Sequence, residues 1–165
     1  MNSGRKRRPH RSPVRVALRA TSLLQQHVRD GLGALEKAHR RLISPPLQSA
    51  FADSLDLDKA TQVGHERENR WDYLLGHDAT CRVIALEPHS AKTDEISTVI
   101  AKRTMAVEYL RGHLAQGARI SKWIGVSAGK VQFADTEKAR YRLAQNGIRF
   151  VGRRLLPKDV LPAVA

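Results

Sequence analysis

Between Val14 and Ile43 the positions Leu18, Thr21, Gln25, Val28, Leu32, Leu35, His39 and Leu42 recur at alternating threes and fours. That spacing marks one face of a helix. It predicts a long N-terminal helix, or two helices broken near Gly31 and Gly33, stopped by Ser44-Pro45-Pro46, where proline removes an amide and crowds the preceding turn. From Leu47 to Glu68 the periodicity is poor. Phe51, Leu55 and Leu57 could anchor a short helix or a covering loop there.

Strand-like runs follow. Arg70 to Leu75 and Thr80 to Leu86 read as two strands joined by a turn at Gly76-His77-Asp78. Thr93 is a good N-cap, with Asp94 and Glu95 in the first turn and an apolar stripe of Ile96, Val99, Ile100, Val107, Leu110 and Leu114 down to about Ala115. Ile120 to Ser127 reads as a third strand. A short helix capped by Asp135 or Thr136 ends at Asn146-Gly147, and Ile148 to Val151 is a last short strand. The order predicts an α/β fold with a mixed sheet of about four strands flanked by helices. The hairpin is antiparallel, and helical crossovers bring parallel strands beside it. Three segments are expected: a flexible basic arm over 1–13, a helical segment over 14–46, and an α/β core over 47–165 with a short basic C-terminal tail.

At 165 residues, with 41% apolar and 27% charged positions, the chain suits one domain with its own core plus an arm. The single Cys81 has no partner for an internal disulfide, which favours a reducing cytoplasmic compartment, and its place in an apolar run suggests a small buried strand residue. Arg15 and Arg19 interrupt the only apolar stretch near the N-terminus, so neither a signal peptide nor a membrane span is expected.

Charge changes the picture most. A formal net charge of +13 calls for an acidic partner, and nucleic acid, DNA or RNA, is the commonest acidic polymer in a cytosol; an anionic lipid surface or an acidic protein would also fit. Arg5, Lys6, Arg7, Arg8 and Arg11, followed by Arg15 and Arg19, are the candidate phosphate contacts. A protein partner could instead use the N-terminal helix, although Gln25, His39 and the two glycines make a poor zipper seam.

Side chains two apart in a strand share a face, so Glu87 and His89 point the same way. Asp72, on the partner strand, can lie beside them if the turn is tight. Two carboxylates converging from adjacent strands make a hard-oxygen site for Mg²⁺ or Mn²⁺. Such an ion orients water and neutralises charge at a scissile phosphate.

In these residues the chain resembles the PD-(D/E)XK, or restriction-endonuclease-like, nuclease superfamily over roughly residues 62–127. The resemblance implies a divalent-metal-dependent endonuclease with Asp72 and Glu87 as metal ligands. His89 then stands where the lysine that activates water belongs, and Lys92 or Lys102 could supply that ammonium from the helix. Glu68, or Glu66 beside it, could add a ligand. Pro88 removes a backbone donor between the two key positions, and two strands, rather than the superfamily's three, are read before the helix. The alternative is a non-catalytic nucleic-acid-binding or assembly protein.

Other motifs fail on mechanism. Gly125-Val126-Ser127-Ala128-Gly129 matches a nucleophile elbow, but the following Lys130-Val131-Gln132-Phe133 looks extended and no histidine lies beyond His113. Gly129-Lys130 lacks the spacing of a phosphate loop. Asp53, Asp56 and Asp58 lack the glycine and closing glutamate of a calcium loop and read as an acidic turn. The histidines show no zinc spacing.

Overall fold

A computed structural model describes residues 11–90, 95–129 and 137–161. Among these, six strands form one sheet in sequential order: β1 (Arg29–Asp30), β2 (Phe51–Asp56), β3 (Tyr73–His77), β4 (Arg82–His89), β5 (Ile120–Ser127) and β6 (Ile148–Phe150). β1 to β4 form an antiparallel meander, while β5 and β6 run parallel to β4. Parallel neighbours need crossovers, which the helices α5 (Ile96–Arg111) and α6 (Glu137–Gln145) provide. The shorter helices are α1 (Pro13–Ala17), α2 (Lys37–Arg40), α3 (Pro45–Gln48), α4 (Leu57–Thr61) and α7 (Pro157–Val160). None of the described helices is long and apolar enough to cross a membrane.

The pleat sends alternate side chains to opposite faces, and each face has its own core. Leu55, Leu74, Val83, Ala85, Trp123 and Ile148 point to the side covered by α1, α5 and α6, where the Trp71 and Trp123 rings meet edge to face at 5.0 Å. Tyr73, Leu75, Ile84, Leu86, Ile124 and Val126 point to the other side, under Leu35, Ile43, Leu47, Leu155 and Val160.

The structure overturns the expected long N-terminal helix. Residues 14–46 hold α1, a 3₁₀ turn (Leu23–His27), the two-residue β1, and α2. Leu18, Val28 and Leu35 are buried as the periodicity implied, but along a winding path. Leu18 is extended at the end of α1 and bridges Leu114, Arg29 and Asp30 pair with Ser54 and Asp53, and Gly31 takes φ +55. Those partners offer the backbone hydrogen bonds that a helix would have had to supply internally.

The sheet is also larger than about four strands. β1 is too short to register in a sequence, and β2 was hidden by its own polar residues. Asp53 and Ser54 are wholly buried. Asp53 accepts the amides of Val14 and Arg15, each at 3.1 Å, and Ser54 Oγ accepts the Ala34 amide at 3.1 Å. What reads as an acidic turn is therefore a strand, with Asp56 capping α4 through the Lys59 amide at 2.8 Å.

At the β3–β4 connection, Gly76 and His77 belong to β3 and the turn comes later. Cys81 sits in that turn with φ +53 and is exposed, not buried in a strand. The expected caps Thr93, Asp135 and Thr136, and the segment Lys130–Phe133, lie outside the described residues.

Candidate active site

The β3–β4 register pairs Tyr73 with Leu86, which brings Asp72, just before β3, opposite Glu87 near the end of β4. Both residues follow the alternation of Leu74 and Ala85 and so face α5. The Asp72 amide donates to Glu87 Oε2 at 2.9 Å. Lys102 reaches them from α5, on the flank of the buried positions Val99 and Ala106. Its ammonium is hydrogen-bonded to Glu87 Oε1 and lies 3.6 Å from Asp72 Oδ1. One cation thus bridges two carboxylates drawn from different strands.

Burial dominates the electrostatics. Glu87 is fully buried, and loss of water followed by repulsion from Asp72 pushes its carboxyl up to about 8, against the pull of Lys102. Asp72 is raised to about 6, first by burial, with Lys102 opposing and Asp58 adding to the rise. Burial also works against the Lys102 charge, but Glu87 and Asp72 outweigh it and hold the ammonium above its ordinary value. The hydrogen bond to Lys102 favours the ionised form of Glu87, while burial first and repulsion from Asp72 second favour the protonated form. The carboxyl pair as a whole therefore retains a proton near neutrality.

His89 continues the same face. Its Nδ1 lies 3.0 Å from Glu95 Oε2 but out of hydrogen-bond alignment, and Ser90 Oγ donates to the same Glu95 oxygen. Desolvation lowers His89, with Lys102 assisting and Glu95 opposing, so the ring stays neutral. A neutral imidazole beside buried carboxylates can accept a proton.

The remaining sequence candidates are placed elsewhere. Glu68 is engaged by His65 Nδ1 at 2.7 Å, and Glu66 Oε1 accepts the Gly64 amide at 3.0 Å, both on the exposed stretch before β3. Lys92 and Arg5, Lys6, Arg7 and Arg8 lie outside the described residues. Arg11 sits at the opposite end of the sheet, where its amide donates to Asp78 and its guanidinium to Cys81 Sγ. Arg15 contacts Asp30 and the Val28 carbonyl, while Arg19 Nε donates to the Leu114 carbonyl at 2.9 Å.

Sequence reasoning missed Asp58 and Glu95 as members of this cluster. Asp58 opens α4, its amide reaches the Asp72 carbonyl at 3.3 Å, and its carboxylate pairs with Arg70 at 2.9 Å. Recognising β2 would have placed Asp58 at the same sheet end as Asp72. In the sequence Glu95 stands only as a helix-start residue.

Among the described residues, no group of three or more His, Cys, Asp and Glu side chains is gathered as a metal site. Comparison of the chain with family models, curated proteins and solved structures returns no match.

Proposed function

We propose that this protein is a nucleic-acid phosphodiesterase that uses Asp72 and Glu87 with a divalent ion, Mg²⁺ or Mn²⁺. The observation that carries this reading is the Lys102 ammonium shared by the two carboxylates, because it marks a point at which both oxygens already converge on positive charge. Hard carboxylate oxygens suit either ion, and the upward shifts of both acids are relieved by added positive charge. Bound there, the ion would polarise the phosphate and lower the pKa of a water. The resemblance to the PD-(D/E)XK superfamily supports the same reading. So do the three-stranded antiparallel run β2–β4, the helix α5 and the parallel β5 that frame the pair.

The protein's own groups divide the work. Asp72 and Glu87 would hold the cation, Lys102 would place positive charge beside the phosphate, and neutral His89 would accept a proton from water. Incubation with DNA and RNA in Mg²⁺ or Mn²⁺ tests the proposal. Cleavage that disappears in Glu87→Gln and Asp72→Asn supports it; cleavage that persists unchanged in both removes it.

One observation favours a second reading, a non-catalytic nucleic-acid-binding protein. Both Glu87 oxygens already have protein donors, Lys102 and the Asp72 amide, so the chain completes the site without an ion. Binding with no cleavage by the native protein would select that reading.

A further inference from the structure

Two stretches free of acidic residues meet at the end of the sheet that carries Glu87. Residues 37–50 include Lys37, Arg40 and Arg41, and residues 147–158 include Arg149, Arg153, Arg154 and Lys158, with no Asp or Glu in either. They are remote in sequence. In the fold, Ile43 and Leu155 form a parallel bridge, closed by the Ser44 amide on the Leu155 carbonyl at 2.9 Å and the Leu155 amide on the Leu42 carbonyl at 2.8 Å. Arg41 and Arg153 each lie two residues before a bridged position, so the two arginine-bearing turns enter the same bridge.

Both pairs are anchored at the same end of the sheet as the candidate active site, on the face opposite α5, where Tyr73 packs with Ile43 and Leu155. After β6, Gly152 takes φ +87, and its carbonyl accepts the Ser127 amide at 2.7 Å. Ser127 is in register with His89, which sets Arg153 and Arg154 at the site's end of the sheet. On the other stretch, His39 Nδ1 meets the Tyr73 hydroxyl at 2.7 Å, tying α2 to the residue that follows Asp72. Arg40, Arg41, Arg153 and Arg154 are all exposed. Arg40 donates Nε to the Leu35 carbonyl at 3.0 Å, whereas the other three guanidinium groups have no hydrogen-bond or ion-pair partner among the described residues.

We propose that Arg40, Arg41, Arg153 and Arg154 form a phosphate-binding face that holds a nucleic-acid backbone across the end of the sheet where Asp72 and Glu87 sit. The proposal rests on the nucleic-acid reading above and says where the polymer lies. Four neighbouring like charges repel one another without a counter-charge, and planar guanidinium forks match phosphodiester oxygens. A lipid surface would supply phosphate too, but it has no use for a carboxylate pair at the same sheet end. The face also differs from the described N-terminal arginines, since Arg11 approaches the opposite end of the sheet and Arg15 and Arg19 are held by protein acceptors.

Fluorescence anisotropy of the full chain with labelled DNA and RNA oligonucleotides in EDTA tests this face. The double variant Arg153→Glu/Arg154→Glu should bind at least about tenfold more weakly, and its slope of log affinity against log salt on duplex DNA should shrink by about 1.8. Arg153→Lys/Arg154→Lys should keep most of the affinity, and Arg11→Glu/Arg15→Glu should lose clearly less than Arg153→Glu/Arg154→Glu. Native affinity and slope in the Glu variant overturn the proposal, as does a loss confined to the Arg11/Arg15 variant. Binding of native protein to phosphatidylserine vesicles, with none to oligonucleotides, overturns it as well. If the Glu variant misfolds by circular dichroism, Arg153→Gln/Arg154→Gln is read by the same criteria. Arginine-dependent binding without any cleavage keeps the face and removes the phosphodiesterase reading. Cleavage with an unchanged KM in the Glu variant does the reverse.

Discussion

The amide of Asp72 donates to the buried carboxylate of Glu87 at 2.9 Å. The hydrogen bond ties the start of β3 to the end of β4 and leaves the Asp72 side chain free to turn toward Lys102. Two acids fifteen residues apart are thus locked into one electrostatic unit.

That unit has a pH signature. Both carboxyls are raised in the folded chain, Asp72 to about 6 and Glu87 to about 8, so their stabilising effect is complete below the ordinary carboxylate range. It is lost as pH rises through the folded values. Lys102, raised, stays charged across that window. The Tm of metal-free protein should fall between pH 5 and pH 9, by about 2–4 °C for each kcal/mol lost at this chain size. Glu87→Gln should flatten the profile, and a calorimetric scan series that shows the same slope in both proteins refutes the assignment.

Removing Lys102 should expose the repulsion it now offsets. Lys102→Met leaves Glu87 buried without its counter-charge, and we expect a loss of about 3 kcal/mol at pH 8. The loss should shrink toward pH 5, where the carboxyls take up protons. Urea denaturation at the two pH values reads both effects; an equal loss at each would show that Lys102 acts only through packing.

Cation binding should displace the retained proton. Titration of Mn²⁺ into the native chain should give heats that depend on the buffer's ionisation enthalpy, with apparent affinity rising from pH 6 to pH 8. Glu87→Gln should lose this dependence. Buffer-independent heats with pH-independent affinity would place the ion elsewhere.

Gly76 holds the N-terminal segment in place. A Cβ there would lie 2.0 Å from Asp53 Oδ1 and 2.9 Å from Pro13 Cδ, so Gly76→Ala must push the buried Asp53 away from the Val14 and Arg15 amides. We expect a destabilisation of about 2 kcal/mol or more, with faster proteolysis between residues 11 and 18. Gly129→Ala meets nothing within 4 Å and is the control. A Gly76→Ala midpoint equal to that control would disprove the crowding.

Apolar runs made β4 and β5 legible in the sequence, because central strands covered on both faces bury nearly every side chain. The stripe from Ile96 to Leu110 did the same for α5. The parity of Glu87 and His89 along β4 also followed from the pleat alone, whereas the pairing of Asp72 with Glu87 depended on the β3–β4 turn, which comes after Gly76 and His77. The path of residues 14–46 did not. Periodicity reports which residues are buried, and Leu18, Val28 and Leu35 are buried outside any long helix, since Leu18 bridges Leu114 beyond α5, Arg29 and Asp30 pair with β2, and Val28 and Leu35 close local turns. β2 was illegible because Asp53 and Ser54 are polar and are satisfied inside only by amides distant in sequence. For the same reason, Lys102 could be named as a candidate from sequence but joined to Glu87 and Asp72 only by α5 packing across the sheet. The joining of the Arg41 and Arg153 segments depends on the bridge between Ile43 and Leu155, over a hundred residues apart. Local spacing determines faces and runs; contacts between distant segments exist only once the two cores have closed.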